Sequence, residues 1–310
     1  MSRVPVRLAL VGIGKIARDQ HCPALAADSR FQLAATVSRH GVVDEIPAFT
    51  DIAALLRSQC AVDAVSICTP PNFRHSLASE ALAAGLHVML EKPPGATLGE
   101  VKDLEDRAER AGLTLFTTWH SREADCVDDA RAWLAQRRIK SVRVTWKEDI
   151  RRWHPGQDWI LEAGGFGVFD PGINALSILC SVLPQVPLLQ QATLHIPANR
   201  QSPIAAQLEM KMPDGVRVDA DFDFLQTGPQ SWDIEIDTDG GCLLLSEGGR
   251  VMSIDGVRHS TGEDREYARL YARFAELIAA RASDVDVTPL RIVADAFLLG
   301  RRVSTAAFEY

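Results

Sequence analysis

Residues 7–17 read RLALVGIGKIA. The first half, Arg7-Leu-Ala-Leu-Val11, is a short apolar run and predicts a buried strand. The second half, Gly12-Ile-Gly14-Lys-Ile-Ala17, predicts a glycine turn and then a helix from about Lys15, which Pro23 ends or kinks. The spacing is G-x-G-x-x-A. In that pattern the first glycine makes a tight turn and the second lets the backbone approach a pyrophosphate. The small third residue lets helix and strand pack closely. The helix N-terminus adds unpaired N–H groups and the positive end of a dipole. The pattern is specific only after a strand and before a helix, and both neighbours are present here.

Working outward, the alternation continues. Phe31–Ser38 predicts a second strand, 51–59 a helix, and Ala64–Cys68 a third strand ending in Thr69-Pro70-Pro71. A helix over 76–84 stops at Gly85, and His87–Leu90 is the next strand. Thr97 and Glu100 form a capping box before a helix that runs to about Ala111, and 113–118 is one more strand. Such β-α alternation predicts a parallel, doubly wound sheet over residues 1–120, the dinucleotide-binding Rossmann type. Near residue 120 the pattern changes. Val142, Val144 and Trp146 alternate with Arg143, Thr145 and Lys147, and 216–224 puts Asp219, Asp221 and Asp223 on its wet face. Trp232, Ile234 and Ile236 repeat the alternation, with glycine turns at 239–241 and 247–249. Residues 121–310 therefore predict an α+β domain with an open, mainly antiparallel sheet. A helix is expected through Tyr267, Leu270, Tyr271, Phe274 and Ile278. A last one over 292–301 is free to pack back on the first domain. The fold class is α/β with two domains.

Bulk properties narrow the partners. At 310 residues the chain suits two domains, and a net charge of −8 offers no basic patch for nucleic acid or an anionic membrane. No apolar run approaches the roughly 18 residues of a membrane span, and the N-terminus lacks a signal-peptide pattern. The six cysteines are dispersed without C-x-x-C spacing, which suits reduced thiols in the cytoplasm. Histidine spacing implies no metal, and no G-x-S-x-G nucleophile turn is present.

The cofactor candidates are Gly12, Ile13, Gly14, Lys15 and Ile16 at the first turn, and Ser38, Arg39 and His40 after the second strand. Thr69, Pro70, Asn72, His75, Glu91 and Lys92 follow the next two. An NAD site usually carries Asp or Glu where Ser38-Arg39-His40 stands. Without that carboxylate, Arg39 can hold a 2′-phosphate, so NADP is the expected cofactor, unless Arg39 is only a solvated surface residue. NAD remains open, because Ser38 can accept a bond from a ribose hydroxyl. Glu91-Lys92-Pro93-Pro94 follows a buried strand, and strand carboxyl ends in such sheets point into the ligand crevice. There the Lys92 ammonium can stabilise an alkoxide.

The segments VGIGKIA, CTPPNFRH, AGLHVMLEKPPG and FDPGIN, in this order, resemble the glucose–fructose oxidoreductase and inositol dehydrogenase family over essentially the whole chain. ARDQHCPA, VMLEKPPGATLGEV, WKEDIRRWHPGQ and FDPGINALSI are similar to its bacterial members that oxidise L-arabinose and D-galactose at the anomeric carbon. The resemblance implies a sugar held between the two domains, a lactone product, a homo-oligomer and a catalytic role for Lys92. Many members carry D-x-x-x-H with an acid/base histidine, whereas here the stretch is Asp170-Pro-Gly-Ile-Asn174. Asn174 cannot exchange protons usefully near neutral pH and is left to orient sugar or nicotinamide. Asp170 becomes the candidate base, with helix capping as its alternative role and His154 as a rival relay. Glu148, Trp153 and His154 are candidate contacts to sugar hydroxyls and ring C–H groups, together with His120 and Trp232, the latter equally at home in a core. D-fucose shares the ring geometry of the two named sugars. Another polyol such as an inositol, or an NADP-sensing regulator without turnover, are the alternative functions.

Overall fold

The computed structural model describes residues 4–310. The first unit holds β1 (Val6–Val11), a π-helical turn (Ala17–His21), α1 (Cys22–Ala27), β2 (Phe31–Val37), β3 (Ala48–Phe49) and α2 (Ile52–Arg57). It continues with β4 (Ala64–Ile67), α3 (Pro71–Ala83), β5 (His87–Leu90), α4 (Leu98–Ala111) and β6 (Leu115–Thr117). The strands form one parallel sheet in the order β3-β2-β1-β4-β5-β6. The capping box at Thr97 and Glu100 is present, and Gly112 closes α4 in the left-handed conformation. Pro23 does not stop the first helix. It lacks the N–H that would bond back one turn, and the ladder opens there into the π-turn that ends at His21.

The second unit holds α5 (Asp125–Leu134), β7 (Ile139–Lys147), α6 (Ile150–Trp153), α7 (Phe169–Val182), β8 (Leu188–Pro197), β9 (Ala205–Lys211) and β10 (Arg217–Asp223). After these come β11 (Ser231–Thr238), β12 (Gly241–Ser246), β13 (Val251–Ile254) and β14 (Val257–Thr261). Next are α8 (Glu266–Ala280), α9 (Thr288–Leu299) and β15 (Arg301–Thr305). The nine-stranded sheet runs β14-β13-β12-β11-β7-β10-β9-β8-β15 and is mainly antiparallel. Its parallel pairs are β7 with β10 and β8 with β15.

Not all of that run belongs to one body. The residues up to His120 form one compact unit with Tyr267–Val287, and Ser121–Glu266 form the other with Thr288–Tyr310. α8 therefore packs on the parallel sheet, where Tyr267, Leu270, Tyr271, Phe274 and Leu277 join Leu8, Phe31, Met89 and Phe116 in one buried cluster. The last helix, α9, instead contacts α7 and β8 in the second unit. The opposite face of the parallel sheet buries Val11, Ile67, Val88 and Leu90 against Ala78, Leu82 and Leu104 of α3 and α4.

The alternation in β7 and β10 works as expected. Val142, Val144, Trp146, Val218, Ala220 and Phe222 are buried. The opposite face pairs its charges, Lys147 with Asp221 and Arg143 with Glu235 at 3.7 Å. α7 lies close on the inner face, and a Cβ added at Gly172 would sit 3.0 Å from the Phe222 ring, so any larger residue here would press on that ring. No helix among the described residues is long and apolar enough to cross a membrane.

Candidate active site

The ends of β1, β2 and β4 open into a cavity of about 510 Å³. Of the cofactor candidates, Gly12, Ile13, Gly14, Ser38, Arg39, His40, Thr69 and Pro70 line it. Gly12 has φ +92°, and a Cβ there would lie 2.9 Å from the Thr69 amide nitrogen, so both its conformation and its packing demand glycine. Nothing lies within 4 Å of a Cβ built on Gly14, leaving its backbone open to a ligand. Thr69 Oγ1 is buried and has no hydrogen-bond partner. Buried hydroxyls are normally paired, so this one matches a site whose partner is a ligand. These features fit a nicotinamide dinucleotide.

The remaining cofactor candidates sit differently. Lys15 is exposed and ion-paired with Asp19, and Ile16 and Asn72 are exposed. His75 Nε2 is 2.8 Å from Asp103 of α4. Ser38 Oγ accepts from the amides of His40 at 3.3 Å and Gly41 at 3.1 Å, which shapes the loop that presents Arg39. Arg18 steadies the same loop by donating to the Val42 carbonyl at 3.2 Å.

Lys92 follows β5 and is half-buried, and its bond to Pro93 is cis. Glu91 beside it is only 2% exposed and turns into the interior of the first unit. Its Oε1 lies 3.0 Å from His21 Nε2 and accepts from Tyr267 Oη at 2.8 Å, while Oε2 accepts from the Lys92 amide at 2.9 Å. His21 Nδ1 lies 2.7 Å from Tyr271 Oη. His120 stacks on Tyr267 with centroids 5.6 Å apart. Burial opposes charge on both Glu91 and His21, but their mutual hydrogen bond and attraction outweigh it for the carboxyl, with His120 and Arg74 adding to the effect. Glu91 is therefore held below the ordinary carboxylate range. Burial also opposes charge on His21, and it is overcome by Cys68, Tyr271 and Glu91, so the imidazole titrates above its usual value. Of these partners, the Glu91 carboxylate is the one that is fully charged near neutral pH.

A pH dependence of stability follows. A depressed carboxyl pKa contributes stability above the unfolded value of about 4.3, and the contribution is lost as pH falls through the folded pKa. A raised histidine pKa contributes fully below about 6.5 and is lost as pH rises through the folded pKa. The pair therefore supports the fold most between roughly pH 4.3 and 6.5. Denaturant midpoints measured across roughly pH 2–9 should show this dome in the wild type and a flatter curve in Glu91→Gln. Parallel curves would mean that the pair is not the titrating element.

The second unit gathers the other candidates. Glu148 leaves the end of β7 and is 6% exposed. Asp149 caps α6 by accepting from the Arg151 amide, and that short helix delivers Trp153 and His154. Trp232 Nε1 donates to Glu148 Oε2 at 2.9 Å. His154 Nε2 is 3.3 Å from Glu148 Oε1, and its Nδ1 is 4.0 Å from Asp170 Oδ2. Trp153 meets Trp232 edge-on at 5.3 Å, and its Nε1 donates to Gln230 Oε1 at 3.3 Å. Asp170 lies in the first turn of α7, but the N-cap is Val168, which makes no side-chain cap. Asn174 stands one turn later and is half-buried. Trp232, Glu148, His154 and Asp170 thus form a row in which an imidazole lies between two carboxylates. Such a row can accept hydroxyl protons and pass them along.

Sequence reading missed His21, Tyr267, Gln230 and Arg74. Arg74 was visible in CTPPNFRH, and Tyr267 in an apolar helical period. Nothing local reveals that the first is buried or that the hydroxyl of the second is spent on Glu91.

A glycine turn on a parallel Rossmann sheet, joined in one chain to a unit rich in hydroxyl-binding groups, fits a dinucleotide-dependent oxidoreductase. Residues 6–118 match the GFO/IDH/MocA family model, described as an oxidoreductase family with an NAD-binding Rossmann fold. The chain is 46% identical over 304 residues to galactose 1-dehydrogenase from Pseudomonas fluorescens, covering 98% of this chain and 99% of that one. The crystal structure of D-galactose-1-dehydrogenase from Rhizobium etli superimposes with a TM-score of 0.95 and 54% identity, covering 100% of this chain and 99% of that one. A 3-ketoreductase from Actinomadura kijaniata in complex with NADP shares the fold, with a TM-score of 0.84, 19% identity and coverage of 97% and 99%. The protein belongs to the GFO/IDH/MocA oxidoreductase family, as the resemblance of its motifs implied.

Proposed function

We propose that this enzyme oxidises an aldopyranose at C1 to the aldonolactone with NADP⁺ as the preferred cofactor. D-galactose is the first substrate to test, with L-arabinose and D-fucose as further ones. The observation that carries the reading is the full-length similarity to two galactose 1-dehydrogenases. The carboxylates, imidazole, amide and indole rings gathered in the second unit support it chemically.

Gly12, Gly14 and Thr69 would hold the dinucleotide, with Arg39 on its 2′-phosphate. When bound, the nicotinamide supplies the hydride acceptor. Asp170 accepts the proton of the anomeric hydroxyl. His154, 4.0 Å from Asp170 and 3.3 Å from Glu148, would take that proton from Asp170 through a bridging water and hand it to Glu148. The Lys92 ammonium stabilises negative charge as it develops on the same oxygen. Glu148 and Asn174 hydrogen-bond ring hydroxyls, and Trp153 covers ring C–H groups. Epimers are rejected where they leave one of these polar groups unpaired.

The test is the rise of reduced-nicotinamide absorbance with NADP⁺ or NAD⁺ against a panel of aldopyranoses and inositols. Lactone formed from D-galactose or L-arabinose bears the reading out. Turnover of inositols alone would make the enzyme a polyol dehydrogenase, and tight NADP⁺ binding without any turnover would make it a sensor. For cofactor choice, Arg39→Ala should weaken NADP⁺ binding at least tenfold and NAD⁺ little, since a charge-assisted phosphate contact is worth roughly 1.5–3 kcal/mol. Equal losses in a fluorescence titration would remove Arg39 from the 2′-phosphate.

A further inference from the structure

We propose that Arg74 is a positioning residue for Lys92, its buried guanidinium clamping the backbone on both sides of that lysine and tying it to the wall of the cofactor cleft. Arg74 lies in the first turn of α3 and is only 5% exposed. Its Nε donates to the Thr69 carbonyl at 2.7 Å. Its Nη1 donates to the carbonyls of Glu91 and Pro93, the residues immediately before and after Lys92. Three carbonyl oxygens from two loops thus converge on one planar cation. Carbonyls offer no protons to one another, so some donor must join them.

The choice of side chain matters. Burying a cation is expensive, and an apolar residue of similar size fills a core without that cost. An apolar residue cannot collect three carbonyls. Lysine cannot span them either, because its ammonium is one compact point whereas the guanidinium is a rigid fork of five donors. Glu91 completes the arrangement by accepting from the Lys92 amide at 2.9 Å. The lysine is therefore held through its own peptide, independently of what its ammonium touches. Thr69 is also the residue whose amide crowds Gly12 and whose hydroxyl is unpaired in the cleft. One side chain thus links the floor of the cofactor cleft to the EKP turn, all within the first unit.

The inference rests on the reading of Lys92 as catalytic. A misplacement of about 1 Å at a reacting group can cost about a hundredfold in rate. The test compares wild type, Arg74→Lys and Arg74→Ala in three measurements: NADP⁺ binding by fluorescence, kcat and KM with D-galactose, and hydrogen exchange of peptides spanning residues 88–96. In Arg74→Lys, kcat should fall about a hundredfold with KM for sugar nearly unchanged, and NADP⁺ binding, which uses Thr69, should weaken far less than kcat falls. Exchange over 88–96 should quicken while the rest of the parallel sheet stays protected. Millimolar guanidinium should restore part of kcat in Arg74→Ala. Wild-type turnover by Arg74→Lys with unchanged exchange would overturn the proposal. So would fold and activity failing together in both variants with no rescue by guanidinium, which would leave Arg74 a purely structural residue. If wild type turns over no sugar, the proposed function fails on its own. Exchange over 88–96 then still decides: unchanged exchange in Arg74→Lys overturns the clamp, and locally faster exchange supports it.

Discussion

Lys92→Ala should lower kcat about a thousandfold while the protein folds and binds NADP⁺ close to normally, by analogy with the loss of one preorganised charge-stabilising donor. The backbone of the turn is held by groups other than the lysine side chain: Glu91 on its amide, and Arg74 on the flanking carbonyls. Truncation at Cβ leaves those bonds in place, so little stability should be lost. Lys92 is half-buried, and its removal opens no large apolar cavity. If the ammonium acts on charge that develops only during reaction, kcat and kcat/KM fall together. If it merely anchors the sugar, KM rises and kcat holds. Steady-state kinetics with D-galactose and NADP⁺ separate the two, and a kcat within tenfold of wild type would remove the lysine from the chemistry.

Asp170→Asn should lower kcat by about 10²–10⁴ and erase the limb of the pH–rate profile that reports the base. The substitution is nearly isosteric and keeps a hydrogen-bonding group in the first turn of α7. Its structural cost includes the loss of an anion near the helix N-terminus, about 0.3–1 kcal/mol, and of the carboxylate facing His154. A large kinetic effect with a small thermal shift would therefore identify a proton acceptor. The neighbour that could replace it is His154, with its Nδ1 4.0 Å away. Full activity in Asp170→Asn, with the pH limb retained, would move the base to the imidazole, and loss of that limb in His154→Asn would then confirm the reassignment.

Several features were legible without coordinates because their causes are local. A strand, a glycine turn and a helix start lie within residues 7–17, and each demands its residue types over a few positions. The capping box of Thr97 and Glu100 is complete within four residues. Alternation in β7 and β10 follows from the two-residue period of a pleated strand with one buried face. Fold class, cofactor turn and the position of the EKP motif after a buried strand all rest on such short-range patterns.

The rest depends on partners far apart in the chain. β7 pairs in parallel with β10, although antiparallel order dominates that sheet, because a strand's own alternation fixes which face is buried and not the direction of its neighbour. α8 carries an ordinary amphipathic pattern, and the pattern does not say which sheet will take its apolar face. Trp232 reads as core in its strand, yet its indole N–H reaches Glu148, 84 residues away. Tyr267 reaches Glu91 across 176 residues. The sequence by itself determined which local elements form and where the glycine turn follows the first strand, since neighbouring residues fix those through backbone sterics and hydrophobic period. Only the tertiary structure decided that Glu91 turns inward, that Arg74 gathers three carbonyls and that His154 lies between two carboxylates, because a buried polar group finds its partner through packing in space, where sequence separation carries no signal.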